Sequence, residues 1–199
     1  MLQRNECTEG GSMTVLSKQE LRRMLRGLRG SQQERDAQSE AISRHILDSD
    51  IFRHADIIAG YAALPHEADI AKVLETALLQ GKTVVMPRCG SAPQMTLHQI
   101  TSLADLREGK YGIPEPLDSS PAFEAKDVSL ILVPLEGIDN DGYRLGKGGG
   151  YYDCLLGKTE AYSMGCALTW QHVENMPLES WDKPLSACAD VHGIYEFKR

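Results

Sequence analysis

No paired-cysteine pattern occurs in the sequence. Its five cysteines are spread along 199 residues, and no two of them form a C-x-x-C pair. An odd number of cysteines without such pairs predicts neither a disulfide framework nor a zinc site. Thiols stay reduced in the cytoplasm, and we therefore expect a cytoplasmic protein.

Long apolar runs are also missing. No stretch approaches the roughly 20 apolar residues that cross a bilayer, and the first residues lack the apolar core of a secretory signal. We therefore expect no membrane partner. Residues 1–14 contain Gly10-Gly11-Ser12 and are predicted to form a disordered extension, in which Met13 is an alternative start. Residues 15–199 are predicted to form a single α/β domain.

An excess of positive charge is absent as well. The chain has 21 Lys and Arg against 28 Asp and Glu, which gives a formal net charge of -7. Such a balance argues against a general nucleic-acid binder, because the electrostatic attraction to phosphate backbones has the wrong sign. Hydrophobic residues at 42% and charged residues at 25% are ordinary for a soluble globular protein.

The sequence does contain a glycine-rich segment, residues 142–150, just after an apolar run that begins at Leu130. The run predicts a buried strand, and a short helix is predicted from Tyr151. Glycines let the backbone approach a ligand closely, so that its N–H groups can face an anion near the start of the helix. Arg144 adds a planar fork and Lys147 a mobile charge. The segment therefore predicts an anion or nucleotide site.

Neither standard glycine pattern describes this segment. Only three residues separate Gly142 from Gly146, and Gly148 follows Lys147, so the pattern GxxxxGK[ST] fails. Tyr151 stands where the third glycine of GxGxxG belongs. A flexible linker is the alternative interpretation. A linker is not expected between a buried strand and a helix start, with two cations inside it and acidic residues on both sides.

Two N-terminal helices are predicted from capping boxes, in which a Ser side chain and a Glu three positions later satisfy each other's backbone donors. One helix starts at Ser17 and ends near Arg29, and the other starts at Ser31 and ends near Leu47. The first helix has an apolar face, Leu21, Met24, Leu25 and Leu28, and a cationic stripe, Lys18, Arg22, Arg26 and Arg29. A solvated surface is the simplest interpretation of this stripe. Contact with an anionic ligand is the alternative.

Several further segments predict an α/β fold. Strands are predicted over residues 57–63, 82–87, 95–100, 130–133 and 161–168, and a last strand near 189–195. A helix over residues 70–80, capped by Asp69, connects the first two strands in a right-handed parallel crossover. Glu67 follows the first strand, where α/β proteins place ligands.

Several segments together resemble the 5-formyltetrahydrofolate cyclo-ligase family, also called methenyltetrahydrofolate synthetases. Residues 144–153, RLGKGGGYYD, are similar to the family's R-L-G-x-G-x-G-Y-Y-D segment. The resemblance extends over roughly residues 17–195 and is carried additionally by Lys18-Gln19-Glu20-Leu21-Arg22, Glu67, Met86-Pro87-Arg88, Gly112-Ile113-Pro114-Glu115-Pro116 and Asp190. Cys154 stands where the family commonly has an arginine.

The resemblance implies a three-layer α/β/α sandwich around a mainly parallel sheet. It implies an ATP-dependent ring closure of 5-formyltetrahydrofolate to 5,10-methenyltetrahydrofolate, with release of ADP and phosphate. ATP is then a co-substrate and Mg²⁺ the metal, and a monomer is expected. Two alternatives stay open: an ATP- or folate-binding module without this turnover, and a sugar-phosphate or acyl-group enzyme of similar architecture.

The resemblance also assigns residues. Arg144 and Lys18 are implied as catalytic. The implied ATP-binding residues are Lys18, Arg22, Arg144, Leu145, Gly146, Lys147, Gly148, Gly149, Gly150, Tyr151 and Tyr152. The implied folate-binding residues are Glu67, Tyr111, Gly148, Gly149, Gly150, Tyr151 and Tyr152. Asp153 and Asp190 match positions associated with Mg²⁺.

Overall fold

The computed structural model describes residues 16–198, which form twelve strands and five α-helices. The strands are β1 (Ile57–Ala59), β2 (Thr83–Cys89), β3 (Met95–Ile100), β4 (Arg107–Glu108), β5 (Pro114–Glu115), β6 (Ala122–Phe123), β7 (Leu130–Val133), β8 (Gly137–Ile138), β9 (Arg144–Leu145), β10 (Tyr162–Cys166), β11 (Ala187–Asp190) and β12 (Gly193–Glu196). The helices are α1 (Lys18–Gly27), α2 (Gln32–Leu47), α3 (Asp50–His54), α4 (Ala71–Leu79) and α5 (Tyr151–Leu156). The prediction for residues 1–14 and the alternative start at Met13 lie outside the described residues.

Eight of these strands form one sheet, in the order β12-β11-β10-β7-β1-β2-β3-β6. Five adjacent strands, β11, β10, β7, β1 and β2, run parallel. β12 on one side, and β3 and β6 on the other, run antiparallel to their neighbours. The carboxyl ends of the parallel strands therefore meet at one edge of the sheet, which is where open α/β sheets bind ligands.

Helices cover both faces of the sheet because successive strand residues point to opposite sides. On one face, Ile58 of β1 packs in a cluster with Ile42 of α2 and Leu74 of α4. On the other face, the next strand residue, Ala59, belongs to a cluster with Leu155 of α5. The predicted α/β class, with helices on both sides of a mainly parallel sheet, is confirmed.

Both predicted capping boxes are present. The Ser17 hydroxyl accepts from the N–H of Glu20, whose carboxylate accepts from the N–H of Ser17, and Ser31 and Glu34 make the same exchange at α2. The predicted apolar face of α1 is narrower than expected, because Leu21 and Leu25 are buried whereas Met24 and Leu28 are 42% and 56% exposed. Since α1 ends at Gly27, Leu28 lies beyond the helix.

Two predicted strands differ from the structure. The first ends at Ala59 instead of residue 63: the Gly60 N–H still donates to the carbonyl of Val85, but the chain then leaves the sheet and the buried Tyr61 donates its hydroxyl to the Ala68 carbonyl. The last predicted strand is a hairpin of β11 and β12, which pair antiparallel. No helix within residues 16–198 has the length and apolarity to cross a membrane.

Candidate active site

A small hairpin, β8 and β9, carries Arg144 to the carboxyl end of β7. In it Ile138 pairs with Arg144, and the buried Asp139 accepts hydrogen bonds from the N–H groups of Asp141 and Tyr143. Burial raises the pKa of the Asp139 carboxyl, and these hydrogen bonds partly oppose the rise. The turn is thus held by its own carboxylate, as expected for an Asp at the start of a tight turn.

The glycine-rich segment leads from β9 into α5. Gly148 and Gly150 have φ values of 96° and 69°, in the left-handed region that residues with a Cβ avoid. Gly150 is also the residue that precedes the first turn of α5. The predicted loop, with positive φ angles and a helix starting at Tyr151, is confirmed by this geometry.

Arg144 lies in the wall of this site with its side chain only 4% exposed. Its Nη2 donates to Asp153 Oδ2 over 3.0 Å, and its guanidinium carbon lies 5.2 Å from the ring centre of Tyr152. Burial lowers the pKa of Arg144, while the neighbouring Asp153 carboxylate opposes that shift. The fork is therefore fixed between a carboxylate and an aromatic ring, an arrangement that lysine does not reproduce.

The cationic stripe of α1 divides between two partners. Arg22 Nε donates to the carbonyl of Gly146 over 2.8 Å, and Lys18 Nζ contacts Glu179 Oε2 at 2.8 Å and Asp182 Oδ1 at 2.7 Å. Burial lowers the pKa of Lys18, but these two carboxylates outweigh it and the pKa lies above its ordinary value. The helix thus places Arg22 against the glycine-rich segment and Lys18 against two carboxylates of a C-terminal loop.

The other two cations of the predicted stripe, Arg26 in α1 and Arg29 just beyond it, lie near a carboxylate that was not among the predicted site residues. Glu136 has 4% of its side chain exposed and lies 3.7 Å from Arg26, 3.5 Å from Arg29 and 3.4 Å from His66. It follows β7 by three residues, and its place after a buried strand was the available signal. The interpretation of the stripe as a fully solvated surface is therefore wrong.

Glu67, in the loop that follows β1, forms an ion pair with Lys147 of the glycine-rich segment. Its side chain is 5% exposed, its Oε1 lies 2.9 Å from Lys147 Nζ, and its Oε2 accepts from the N–H of Leu64. Two segments that are about 80 residues apart in the chain are thereby held together by one ion pair. A partly buried pair of this kind is screened less by solvent than a surface pair.

Tyr111 contacts Tyr151, the residue that follows the glycine-rich segment. It is 67% exposed, its hydroxyl lies 3.2 Å from that of Tyr151, and its backbone has φ 63°. Lys110 Nζ lies 5.3 Å from the ring centre of Tyr111 and hydrogen bonds to the Tyr151 hydroxyl. A non-glycine residue in the left-handed region is uncommon and is found most often at functional sites.

These side chains surround a cavity of about 1030 Å³. The residues predicted to bind ATP or folate all line it: Lys18, Arg22, Glu67, Tyr111 and the segment from Arg144 to Tyr152. The volume is at the upper end of the range for small-molecule sites, which is roughly 300–1,000 Å³. It has room for more than one ligand.

The two residues predicted to bind Mg²⁺ lie in different places. Asp153 lines the cavity beside Arg144, but Asp190 is not among the lining residues. Its carboxylate accepts from the His192 N–H over 2.7 Å and lies 3.4 Å from His172 Nε2. The reason is topological, because β10 separates β11, which ends at Asp190, from β7.

Three residues of one C-terminal loop, Glu179, Trp181 and Asp182, reach the cavity. Asp182 and Trp181 both line it, and the Asp182 carboxylate contributes with Asp153 to the electrostatic environment of Arg144. Their segment has no regular structure, so neither periodicity nor motif marks it. Within residues 16–198, no group of three or more His, Cys, Asp or Glu side chains is arranged to hold a metal ion.

Comparison with known proteins identifies the family. Residues 14–189 match the model of the 5-formyltetrahydrofolate cyclo-ligase family. The chain belongs to this family. The resemblance stated from residues 144–153 and the supporting segments is therefore confirmed.

Relatives and solved structures agree with the family match. A 5-formyltetrahydrofolate cyclo-ligase of Haemophilus influenzae is 30% identical over 183 residues, which cover 87% of this chain and 97% of that protein. One of Escherichia coli K12 is 28% identical over 183 residues, covering 89% and 100%. The 5,10-methenyltetrahydrofolate synthetase of Aquifex aeolicus superposes with a TM-score of 0.81 at 29% identity, covering 92% of this chain and 93% of that one. A Mycoplasma pneumoniae synthetase, at 21% identity and TM-score 0.72 over 88% and 99%, supports the fold.

Proposed function

We propose that this member of the cyclo-ligase family converts 5-formyltetrahydrofolate to 5,10-methenyltetrahydrofolate with ATP, releasing ADP and phosphate. The observation that carries the proposal is the cavity itself, which cations, the glycine-rich segment, aromatic rings and buried carboxylates line together. Such a space suits a polyphosphate and a pteridine together. A sugar phosphate would leave Tyr111 and the buried Glu67 without a role.

The phosphate end is supported by four positive groups around the glycine-rich segment. Lys18 and Arg22 extend from α1, and Arg144 and Lys147 flank Gly146. Each of these cations already contacts a carboxylate or a carbonyl, which keeps its side chain in place. Cations held in place in advance lose less entropy when a triphosphate binds.

The folate end is supported by apolar and acceptor groups that line the same cavity. Tyr111, Ile113 and Met95 line it together with the carboxylates of Glu67 and Glu115, which are 4% exposed in both cases. A pteridine has a flat ring with amino and N–H donors along one edge. Aromatic and aliphatic side chains suit the ring, and buried carboxylates suit its donors.

The chemistry needs no nucleophile from the protein. Transfer of the γ-phosphoryl group to the formyl oxygen turns that oxygen into a good leaving group. N10 then attacks the formyl carbon, the ring closes and phosphate departs. The protein aligns the two substrates and neutralises charge on the transferring group, tasks that Lys18 and Arg144 perform by position and electrostatics.

Mg²⁺ is proposed to accompany the ATP phosphates. Magnesium in nucleotide sites typically takes one or two carboxylates, with phosphate oxygens and water completing its shell. Asp153, which contacts Arg144, and Asp182 both line the cavity, and their hard oxygen donors fit this ion. The ion would supply charge neutralisation of the phosphates. Asp190 is left out of this proposal because it does not line the cavity.

The proposal is tested by incubating the purified protein with Mg-ATP and 5-formyltetrahydrofolate. We expect the methenyl product, which is followed by its near-ultraviolet absorbance, and no product without ATP. Binding of both ligands without product would favour the binding-module alternative. Binding of a sugar phosphate without affinity for folate would favour the sugar-phosphate enzyme.

We also propose a cytoplasmic protein that binds no nucleic acid or membrane and is a monomer. Light scattering tests the monomer against a chain mass of 22.0 kDa.

A further inference from the structure

Trp181 is a large aromatic side chain in the cavity wall to which neither the family motif nor the chemistry above gives a task. It is 60% exposed and lines the cavity together with Lys18 and Arg22, in a turn whose carboxylates contact Lys18 of α1. An indole in this position presents a flat apolar surface next to the groups that suit a triphosphate.

The backbone around Trp181 is held firmly. Residues Glu179 to Asp182 form a turn in which the Asp182 N–H donates to the Glu179 carbonyl over 3.0 Å and the Glu179 N–H donates to Asp182 Oδ2 over 2.7 Å. Lys18 Nζ contacts both carboxylates of this turn. The turn is therefore anchored to α1 on either side of Trp181, and ordering the indole on a ligand costs little further entropy.

Within residues 16–198, each of the other aromatic residues that line the cavity already contacts another group of the protein. Tyr61 is buried with its hydroxyl on the Ala68 carbonyl, Tyr152 packs on Arg144, and Tyr111 and Tyr151 contact each other. Tyr111 and Tyr151 lie at the folate end. Among these aromatic residues, Trp181 combines a large exposed surface with a position close to Lys18 of α1.

We propose that Trp181 stacks on the base of the nucleotide and gives the site its preference for purine nucleoside triphosphates. This inference rests on the proposed function in one respect, namely that the triphosphate binds Lys18, Arg22 and the glycine-rich segment. The proposal places the base against Trp181, which lines the cavity together with Lys18 and Arg22. Stacking depends on ring area rather than on hydrogen bonds. ATP and GTP should therefore both bind, and the smaller rings of CTP and UTP should bind less tightly.

Kinetics of Trp181→Ala test the inference. We expect the KM for ATP to rise roughly 5- to 100-fold, the range that loss of one base–aromatic stack produces. The kcat and the KM for the folate should stay within about twofold, because the indole contacts neither the transferring phosphoryl group nor the pteridine. Trp181→Phe keeps an aromatic face and should restore most of the affinity. The matched control is Leu178→Ala, an exposed apolar residue of the same segment that does not line the cavity.

Fluorescence tests the same contact without turnover. The chain has two tryptophans, and Trp170→Phe leaves Trp181 as the emitter. We expect ATP to quench this emission and inorganic tripolyphosphate, which has no base, to leave it unchanged. In Trp181→Phe, ATP should leave the remaining emission unchanged.

An unchanged KM for ATP in folded Trp181→Ala would overturn the inference, and so would equal quenching by tripolyphosphate or an equal rise in KM in Leu178→Ala. The two proposals fail separately. A wild-type protein that binds ATP with quenching but forms no product contradicts the proposed function alone. An active enzyme indifferent to the loss of the indole contradicts the role of Trp181 alone.

Discussion

At the scale of single residues, Arg144 is the group whose environment most constrains its chemistry. It is buried between Asp153 and Tyr152, and burial shifts its pKa downward. A guanidinium stays charged in such a place because its ordinary pKa is so high, whereas a buried ammonium loses its proton more readily. The position therefore suits a charge that must persist through the reaction.

Arg144→Ala should reduce kcat by about a hundredfold, since one preorganised cation near the transition state is worth on the order of 3 kcal/mol. Arg144→Lys should recover only part of this loss, because it restores charge without the fork. Steady-state turnover with Mg-ATP measures both, and a thermal melt confirms that the variants fold. The matched control is Lys126→Ala, an exposed cation outside the cavity. Full activity of Arg144→Ala would contradict the phosphate site.

Tyr111→Gly should raise the KM for the folate about tenfold, which corresponds to roughly 1.4 kcal/mol of lost ring contact. The free energy of unfolding should change by less than about 1 kcal/mol, because relief of the left-handed backbone at φ 63° and the greater freedom of an unfolded glycine oppose each other. Tyr111→Phe keeps the ring and serves as the control. Kinetics and urea unfolding give the two readouts, and an unchanged folate KM in Tyr111→Gly would remove Tyr111 from the site.

At the scale of elements, the two N-terminal helices start in the same way and do different work. Both begin with a Ser–Glu capping box, but only α1 extends cations into the cavity. α2 packs Ile42 and Ile46 into the core on one face of the sheet. A cap on α1 therefore affects a ligand site, and a cap on α2 affects the core.

The matched pair Ser17→Ala and Ser31→Ala separates these roles. Each should weaken its helix by about 0.5–2 kcal/mol, the cost of losing a side-chain cap. Ser31→Ala should lower the free energy of unfolding with unchanged kinetics. Ser17→Ala should in addition raise the KM for ATP, because Lys18 and Arg22 lie in the first turns of α1. Equal kinetics in both variants would mean that the position of α1 does not depend on its cap.

At the scale of the whole molecule, the chain brings together a site from segments that are far apart. Lys18 and Asp182 are 164 residues apart in the chain and form a direct hydrogen bond. The five parallel strands make this possible, because the loops that follow them lie at one edge of the sheet. Stability of the sheet and geometry of the cavity are consequently linked.

Stability should fall as the pH decreases from about 7 to about 5. Burial is the largest cause that lowers the pKa values of His66 and His172 below the ordinary value of 6.5. A histidine with a lowered folded pKa binds fewer protons than in the unfolded chain, so its stabilisation is complete above about pH 6.5 and is lost as the pH falls below that value. Urea midpoints across this range measure the effect, and His66→Asn should flatten it. The exposed His54→Asn is the control, and an equal flattening there would refute the assignment.

Features whose interacting residues lie close together in the chain could be predicted from the sequence, and features that depend on distant residues could not. The capping boxes at Ser17 and Ser31 and the glycine-rich turn into Tyr151 were predicted because their partners lie within a few residues. The length of β1 was not, since it depends on where the chain leaves β2. The exposure of Met24 likewise depends on how α1 rests on the rest of the protein.

The sequence by itself determined the glycine-rich segment, its cations, the caps of α1 and α2 and the family, because each is encoded in adjacent residues. Only the tertiary structure decided that Asp182 and Trp181 line the cavity, whereas Asp190 lies outside it, 3.4 Å from His172. The physical reason is that a loop without periodic pattern is positioned by contacts distant in the chain. Those contacts, here from Lys18 to Glu179 and Asp182, arise when the sheet places the segments side by side.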